Sequence, residues 1–129
     1  MDFKRQKAIY IQIADYLLEN ILAGVLTKGD KVQSVREMAA TVQVNPNTVV
    51  RSFNYLQDRE IIVNQRGIGY FVADDALEKT QALKREIFVQ QDLPEVFKMM
   101  KLLNMSFEDV QNIYQRQANG ASATKKSPD

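Results

Sequence analysis

Apolar residues first recur along the chain at a helical period. From Ala8 onward, Tyr10, Ile13, Ala14, Leu17, Leu18, Ile21, Leu22 and Val25 fall on one wide face, and Gly24 with the LTKGDK stretch ends it at the turn residues Gly29 and Asp30. A second, shorter stripe follows at Val35, Met38, Ala39 and Val42. Ser34 stands before it as an N-cap, and Glu37 three residues later completes a capping box. Gln43-Val44 break the pattern. Asn45 and Pro46, an N-cap and a first-turn residue, restart it with Val49, Phe53 and Leu56 on one side. Helix, tight turn, helix is the helix-turn-helix unit.

Beyond Leu56 the period shortens. Ile61-Ile62-Val63 and Tyr70-Phe71-Val72 flank Asn64–Gly69, so they predict a hairpin that carries Arg66 outward at its tip. Residues 74–92 return to helical spacing at Leu77, Thr80, Leu83 and Ile87, and Leu93-Pro94 is expected to break that helix, with Pro94 restarting it at a first-turn position. Val96, Phe97, Met99, Met100, Leu102 and Leu103 come next, with Asn104 a plausible left-handed terminator. Ser106 then opens a last helix with Val110, Ile113 and Tyr114 inside. Residues 118–129 are small, polar and unpatterned, as in a disordered tail. The fold class is therefore mainly α with a small β-hairpin. Residues 1–73 form a winged helix-turn-helix domain, 74–117 a short helical dimerisation region, and 118–129 the tail.

The side of the second motif helix not used for the core carries Asn47, Thr48, Arg51, Asn54 and Asp58, with Asn45 at its start. Asn can bridge adenine N6 and N7, Thr offers a hydroxyl or a methyl, and Arg grips guanine or a phosphate. Any surface helix is polar outside, so the face gains meaning from its setting. A second helix placed after a tight turn is the one that enters a DNA major groove, and an arginine on a wing suits a narrow minor groove. The leader MDFKRQK, with Lys4, Arg5 and Lys7, reads as a solvated segment or as an arm touching phosphates.

Composition narrows the chemistry more than it identifies it. The 129 residues contain neither Cys nor His, which removes disulfides, thiolate nucleophiles, histidine bases and the usual zinc sites. No catalytic, metal or cofactor-binding residue is assigned. Asp74-Asp75 and Glu108-Asp109 are carboxylate pairs, but both sit at expected helix starts, where acids favour the helix dipole. No apolar run approaches the ~18 residues that span a membrane, so a cytoplasmic protein is expected. Residues 1–72 hold nine basic and seven acidic residues, the remainder eight and nine. Recognition of nucleic acid must then rest on placed groups rather than on a broad basic field.

The stretch from Tyr10 to Val72 carries, in order and spacing, Y-x-Q-I, then G-D-x-V-Q-S-x-R-E-M-A, N-x-N-T-V-x-R and R-G-x-G-Y-F-V. It resembles the winged helix-turn-helix domain of GntR-family bacterial transcription regulators. By that resemblance the DNA-contacting positions are Ser34 and Arg36 at the first motif helix, Asn45, Asn47, Thr48 and Arg51 at the second, and Arg66 and Gly67 in the wing. Gln33 stands where the family usually has Pro, Tyr70 where it has Thr, and Gln43 and Glu60 where it has Gly. If either of the last two needs positive φ, its side chain costs roughly 1 kcal/mol.

The C-terminal helices offer more apolar surface than they can bury among themselves. Pairing with a second copy resolves this most simply, through Leu83, Ile87, Val96, Phe97, Met100, Leu103, Val110, Ile113 and Tyr114. A Met- and Phe-rich stripe lining an effector pocket is the alternative. The segment LKREIFVQQDLPEVFKMMKLLNMSFEDVQNIYQ looks like the short dimerising tail of the YtrA-like subfamily, which implies transporter genes as targets. The expected partners are a double-stranded, near-palindromic DNA operator, a second copy and an unidentified small-molecule effector, and the expected role is repression. A winged-helix module that binds protein instead of DNA is the competing reading.

Overall fold

A computed structural model describes residues 7–126 of the chain, and side chains as far as residue 120. Lys4 and Arg5 of the expected basic arm lie outside the described residues. The chain divides into two compact units, Met1–Arg85 and Glu86–Asp129.

The first unit contains α1 (Ile9–Leu22), α2 (Val35–Val42), α3 (Pro46–Asp58), β1 (Ile62–Gln65), β2 (Gly69–Val72) and most of α4 (Ala76–Ile87). Its helices meet on the stripes expected from the sequence. Ile13, Ala14, Leu17, Leu18 and Ile21 of α1 pack with Met38 and Ala39 of α2 and with Val49, Phe53 and Leu56 of α3. Fully burying a side chain such as Phe53 or Leu18 contributes about 1.5–3 kcal/mol, so this cluster holds the three helices together. Val25, expected on the same face, is 68% exposed because α1 ends at Leu22 and the chain turns away at Gly24.

Both ends of the helix-turn-helix are fixed by local hydrogen bonds. Ser34 Oγ accepts from the Glu37 N–H at 3.0 Å and the Glu37 carboxylate accepts from the Ser34 N–H at 3.0 Å. Asn45 Oδ1 accepts from the Asn47 N–H at 2.7 Å, with Pro46 in the first turn of α3. Between the helices Gln43 is left-handed at φ 58°, and Glu60 after α3 has φ 61°. These are the two positions where the family pattern has glycine, so the backbone there does adopt the conformation that penalises a Cβ.

The hairpin pairs Ile62 with Val72 and Gln65 with Gly69 in antiparallel register. Ile62 and Val72 face the core, and the Tyr70 ring meets Phe53 edge-on at 4.8 Å. A third short segment lies along the free edge of β2. Lys31 bridges to Phe71, the Val32 N–H donates to Tyr70 O at 2.8 Å, and the Val72 N–H donates to Asp30 O at 2.9 Å.

The unit extends past the boundary expected at residue 73. Ala76 and Thr80 of α4 are fully buried, and Leu83 packs partly against the same core. Part of Leu83, expected at a dimer surface, is therefore engaged within the subunit. Lys84 and Lys7 both pair with Asp15, at 3.1 and 2.7 Å.

The second unit holds a π-helical turn (Phe88–Asp92), α5 (Leu93–Leu102) and α6 (Phe107–Lys126). In place of the expected break at Leu93-Pro94 the chain makes a π-helical turn, and Pro94 stands in the first turn of α5 as expected. Proline has no N–H and its ring crowds the carbonyl four residues back. The chain widens into a π turn just before it, with the Leu93 N–H reaching Phe88 O five residues back, and helix continues into α5. Asn104 is left-handed at φ 57° and ends the α5 segment as expected. Ser106 and Asp109 cap α6 reciprocally, at 3.0 and 2.9 Å. α6 then runs through residues expected to be disordered from 118 onward, as far as Lys126. Alanines at 118, 121 and 123 are strong helix formers and prolong it, despite Gly120. Residues 127–129 lie outside the described residues. Among the described residues of this unit none is buried.

Candidate nucleic-acid interface

The first unit brings the expected contact residues onto three neighbouring structural pieces: the start of α2, the outer side of α3 and the tip of the hairpin. Arg36 is exposed in the first turn of α2, one residue from the capping Glu37. Ser34 has its oxygen engaged as acceptor by the Glu37 N–H, which leaves its O–H free to donate. That is the polarity a phosphate oxygen requires.

On α3 the geometry separates residues that the sequence grouped together. Asn47 is exposed at the start of the helix, and its side-chain amide has no hydrogen bond among the described residues. Such an amide can both donate and accept, the pair of roles adenine N7 and N6 demand. Asn45 is exposed too, but its Oδ1 is committed to capping, so its NH2 is the free end. Thr48 is only half-exposed and lies toward the flank of Ser52, whose hydroxyl donates to Thr48 O at 3.1 Å and to Tyr10 O at 2.8 Å.

Arg51 is exposed but not loose. Its guanidinium lies 4.0 Å from the centre of the Tyr10 ring, and Tyr10 in turn meets Tyr55 edge-on at 6.4 Å. Arg59 covers the other aromatic at 3.6 Å. Stacking at an exposed site is worth about 0.5–1 kcal/mol, enough to favour one rotamer over the others. The planar group keeps its in-plane N–H donors while its face rests on the ring.

In the hairpin loop the Ile68 N–H donates to Gln65 O at 2.8 Å, closing a turn with Arg66 and Gly67 at its centre. Gly67 has φ +79°, which a side chain rarely adopts. Arg66 is thereby displayed at the tip, beside an Ile68 that is 60% exposed.

Sequence reasoning missed three features here. It placed Tyr10 on the inner face and did not find its stack on Arg51. It left out Ser52, completely buried and hydrogen-bonded to α1, although position 52 lies three after Val49 and four before Leu56. It also passed over Val50, 38% exposed on the same side as Asn47 and Asn54, where an apolar group can meet a thymine methyl. Among the described residues there is no group of three or more His, Cys, Asp or Glu placed to hold a metal ion, and no helix is long and apolar enough to cross a membrane.

Comparison with known proteins agrees with this geometry. Residues 9–72 match the family described as bacterial regulatory proteins, gntR family. The chain is 37% identical over 108 residues to the uncharacterized HTH-type transcriptional regulator YhcF of Bacillus subtilis strain 168, covering 84% of this chain and 88% of that one. It is also 37% identical over 76 residues to the HTH-type transcriptional repressor YtrA of the same organism, covering 59% of this chain and 58% of YtrA. A solved GntR-family structure from Bacteroides thetaiotaomicron superposes with a TM-score of 0.76 at 37% identity, over 88% of this chain and 99% of its own. With α1–α3 and the hairpin in winged helix-turn-helix order and a relative matched along most of both chains, this protein belongs to the GntR family of transcriptional regulators, which bind DNA through that domain.

Proposed function

We propose that the protein is a repressor that binds a near-palindromic operator as a homodimer, with α3 of each subunit in a major groove and each hairpin tip at the flanking backbone or minor groove. The observation that carries this reading is the outer side of α3. Asn47 and Arg51 stand exposed there with free donors, while the opposite side of the same helix builds the core. In this reading Ser34, Arg36, Asn45, Thr48, Arg66 and Gly67 complete the contact set. Arg66 and Ser34 set register through phosphates, and Asn47 and Arg51 read bases.

Homodimerisation is supported by the second unit, which has no buried residue among those described. It exposes Val96, Phe97, Leu103, Ile113 and Tyr114, at 43%, 50%, 59%, 37% and 72%, with Ile87, Met100 and Val110 partly covered. A single-copy unit with so much open apolar surface is unusual. Repression is supported by the likeness to the YtrA repressor, and by the steric effect of an operator-bound dimer on polymerase. Transporter genes are the targets the YtrA-like resemblance suggests, and the cytoplasm is the compartment where such a regulator works.

The test is a mobility-shift titration on DNA from upstream of the protein's own gene and on a random duplex, repeated across salt concentrations. The expected result is tight, salt-dependent binding to the first and weaker binding to the second. No affinity for either duplex at low salt would reject this reading in favour of a protein-binding winged helix.

A further inference from the structure

We infer that Lys31 is an additional phosphate contact of the DNA interface, its stem lying over Gly69 of the hairpin. This rests on the DNA-binding reading above and extends its contact set to a residue outside both the motif helices and the hairpin. Lys31 belongs to the short edge segment paired with Phe71, so it shares the outer face of the sheet with Phe71, Val63, Gln65 and Gly69. Its neighbour Val32 points the other way and is buried.

The stem of Lys31 crosses β2 at Gly69. A Cβ placed on Gly69 would lie 3.0 Å from Lys31 Cε and 3.8 Å from Nζ. A side chain there would push the flexible lysine stem aside by a few tenths of an ångström, and would itself sit at φ +137°, where L-residues are strained. With glycine present, the aliphatic stem rests on the strand and the ammonium is carried toward the hairpin loop. Lys31 is exposed and has no ion pair among the described residues, whereas Lys7, Lys79 and Lys84 each have a carboxylate partner.

Its position is what assigns it. Gly69 is two residues from Gly67 at the hairpin tip, and Lys31 is three residues before the capping Ser34. The ammonium thus lies beside the strand position two residues from the hairpin tip, on the segment that leads into the start of α2. A compact point charge on a flexible stem suits a phosphate oxygen, and a phosphate contact carries no sequence information. The neutral Lys31→Gln and the charge-conserving Lys31→Arg form the test.

Each full chain is titrated with the upstream duplex and with a random duplex, and log affinity is plotted against log salt. Thermal melts confirm that the exposed substitutions leave the fold intact. Losing one phosphate contact lowers the slope by about 0.9, so between about 50 and 200 mM salt the affinity of K31Q falls roughly 3.5-fold less than that of the wild type. K31Q should bind both duplexes more weakly by the same factor, and K31R should keep the wild-type slope. A K31Q slope and affinity equal to wild type would overturn the assignment, as would a loss confined to the upstream duplex. A wild-type protein without salt-dependent affinity would instead overturn the DNA-binding reading itself.

Discussion

Gln43, in the turn between α2 and α3, is the residue whose replacement is best defined by the structure. It sits at φ 58° and ψ 54°, in the left-handed region, where an L-residue costs about 1–2 kcal/mol. Its side chain is exposed and has no hydrogen bond among the described residues, while its N–H donates to Ala39 O, a bond any residue can make. Gln43→Gly therefore removes the strain and loses no contact. Glycine also loosens the unfolded chain, which returns roughly 0.4–1 kcal/mol of the gain. The net expectation is a stabilisation of about 0.5–1 kcal/mol. Urea unfolding should show a higher midpoint at unchanged slope, since the surface exposed on unfolding is the same. Gln43→Ala is the control. It keeps the left-handed strain and should stay within about 0.5 kcal/mol of wild type. DNA affinity should not change with either variant, because the turn ends where it did before. A Gln43→Gly protein no more stable than wild type would refute the reasoning.

Two further outcomes follow from burial. Thr80 Oγ1 is buried with no hydrogen-bond partner among the described residues, and an unsatisfied buried hydroxyl costs about 1–3 kcal/mol, so the isosteric Thr80→Val should stabilise the protein by about 1 kcal/mol. A calorimetric melt would show the change as a rise of several degrees, and a fall would mean the hydroxyl is satisfied. Phe97 is 50% exposed on α5, so Phe97→Asp should leave the first unit's fold untouched while shifting the species seen by sedimentation toward monomer. An unchanged sedimentation coefficient across concentration would remove Phe97 from the proposed pairing surface.

Many element boundaries in both units were legible because their determinants are local. The Ser34–Glu37 box, the Asn45-Pro46 start, the Ser106–Asp109 cap and the left-handed Asn104 are each written within four residues. Gln43 and Glu60 stand where the family pattern has glycine, which marked both as positions that could need positive φ, and both adopt it. Glu60 also shows how such a site is supported. Lys79, from α4, reaches both its carboxylate at 3.1 Å and its carbonyl oxygen at 3.4 Å, and the bond to the Glu60 carboxylate, with the Asp75 carboxylate beside it, raises the lysine's pKa.

What the sequence hid depends on where distant segments meet. The Tyr10–Arg51 stack joins residues on two helices, and periodicity assigns each of them only to its own helix. Thr80 and Leu83 looked like part of a C-terminal stripe, yet their surface is used by the core beneath them. Pro94 signals a break in any local reading, and only the register of the surrounding turns decides between a break and a π turn. The helix through residue 118 was hidden by composition, since small residues lack periodicity whether helical or not.

The central claim is that the outer side of α3 reads DNA, and substitution of Arg51 tests it most directly. Affinity of wild type, Arg51→Ala and Arg36→Ala for the upstream and random duplexes should be measured across salt. If Arg51 grips a base edge, its removal costs on the order of 1–3 kcal/mol on the upstream duplex and little on the random one. Unchanged affinity and unchanged salt slope in both variants would contradict the account.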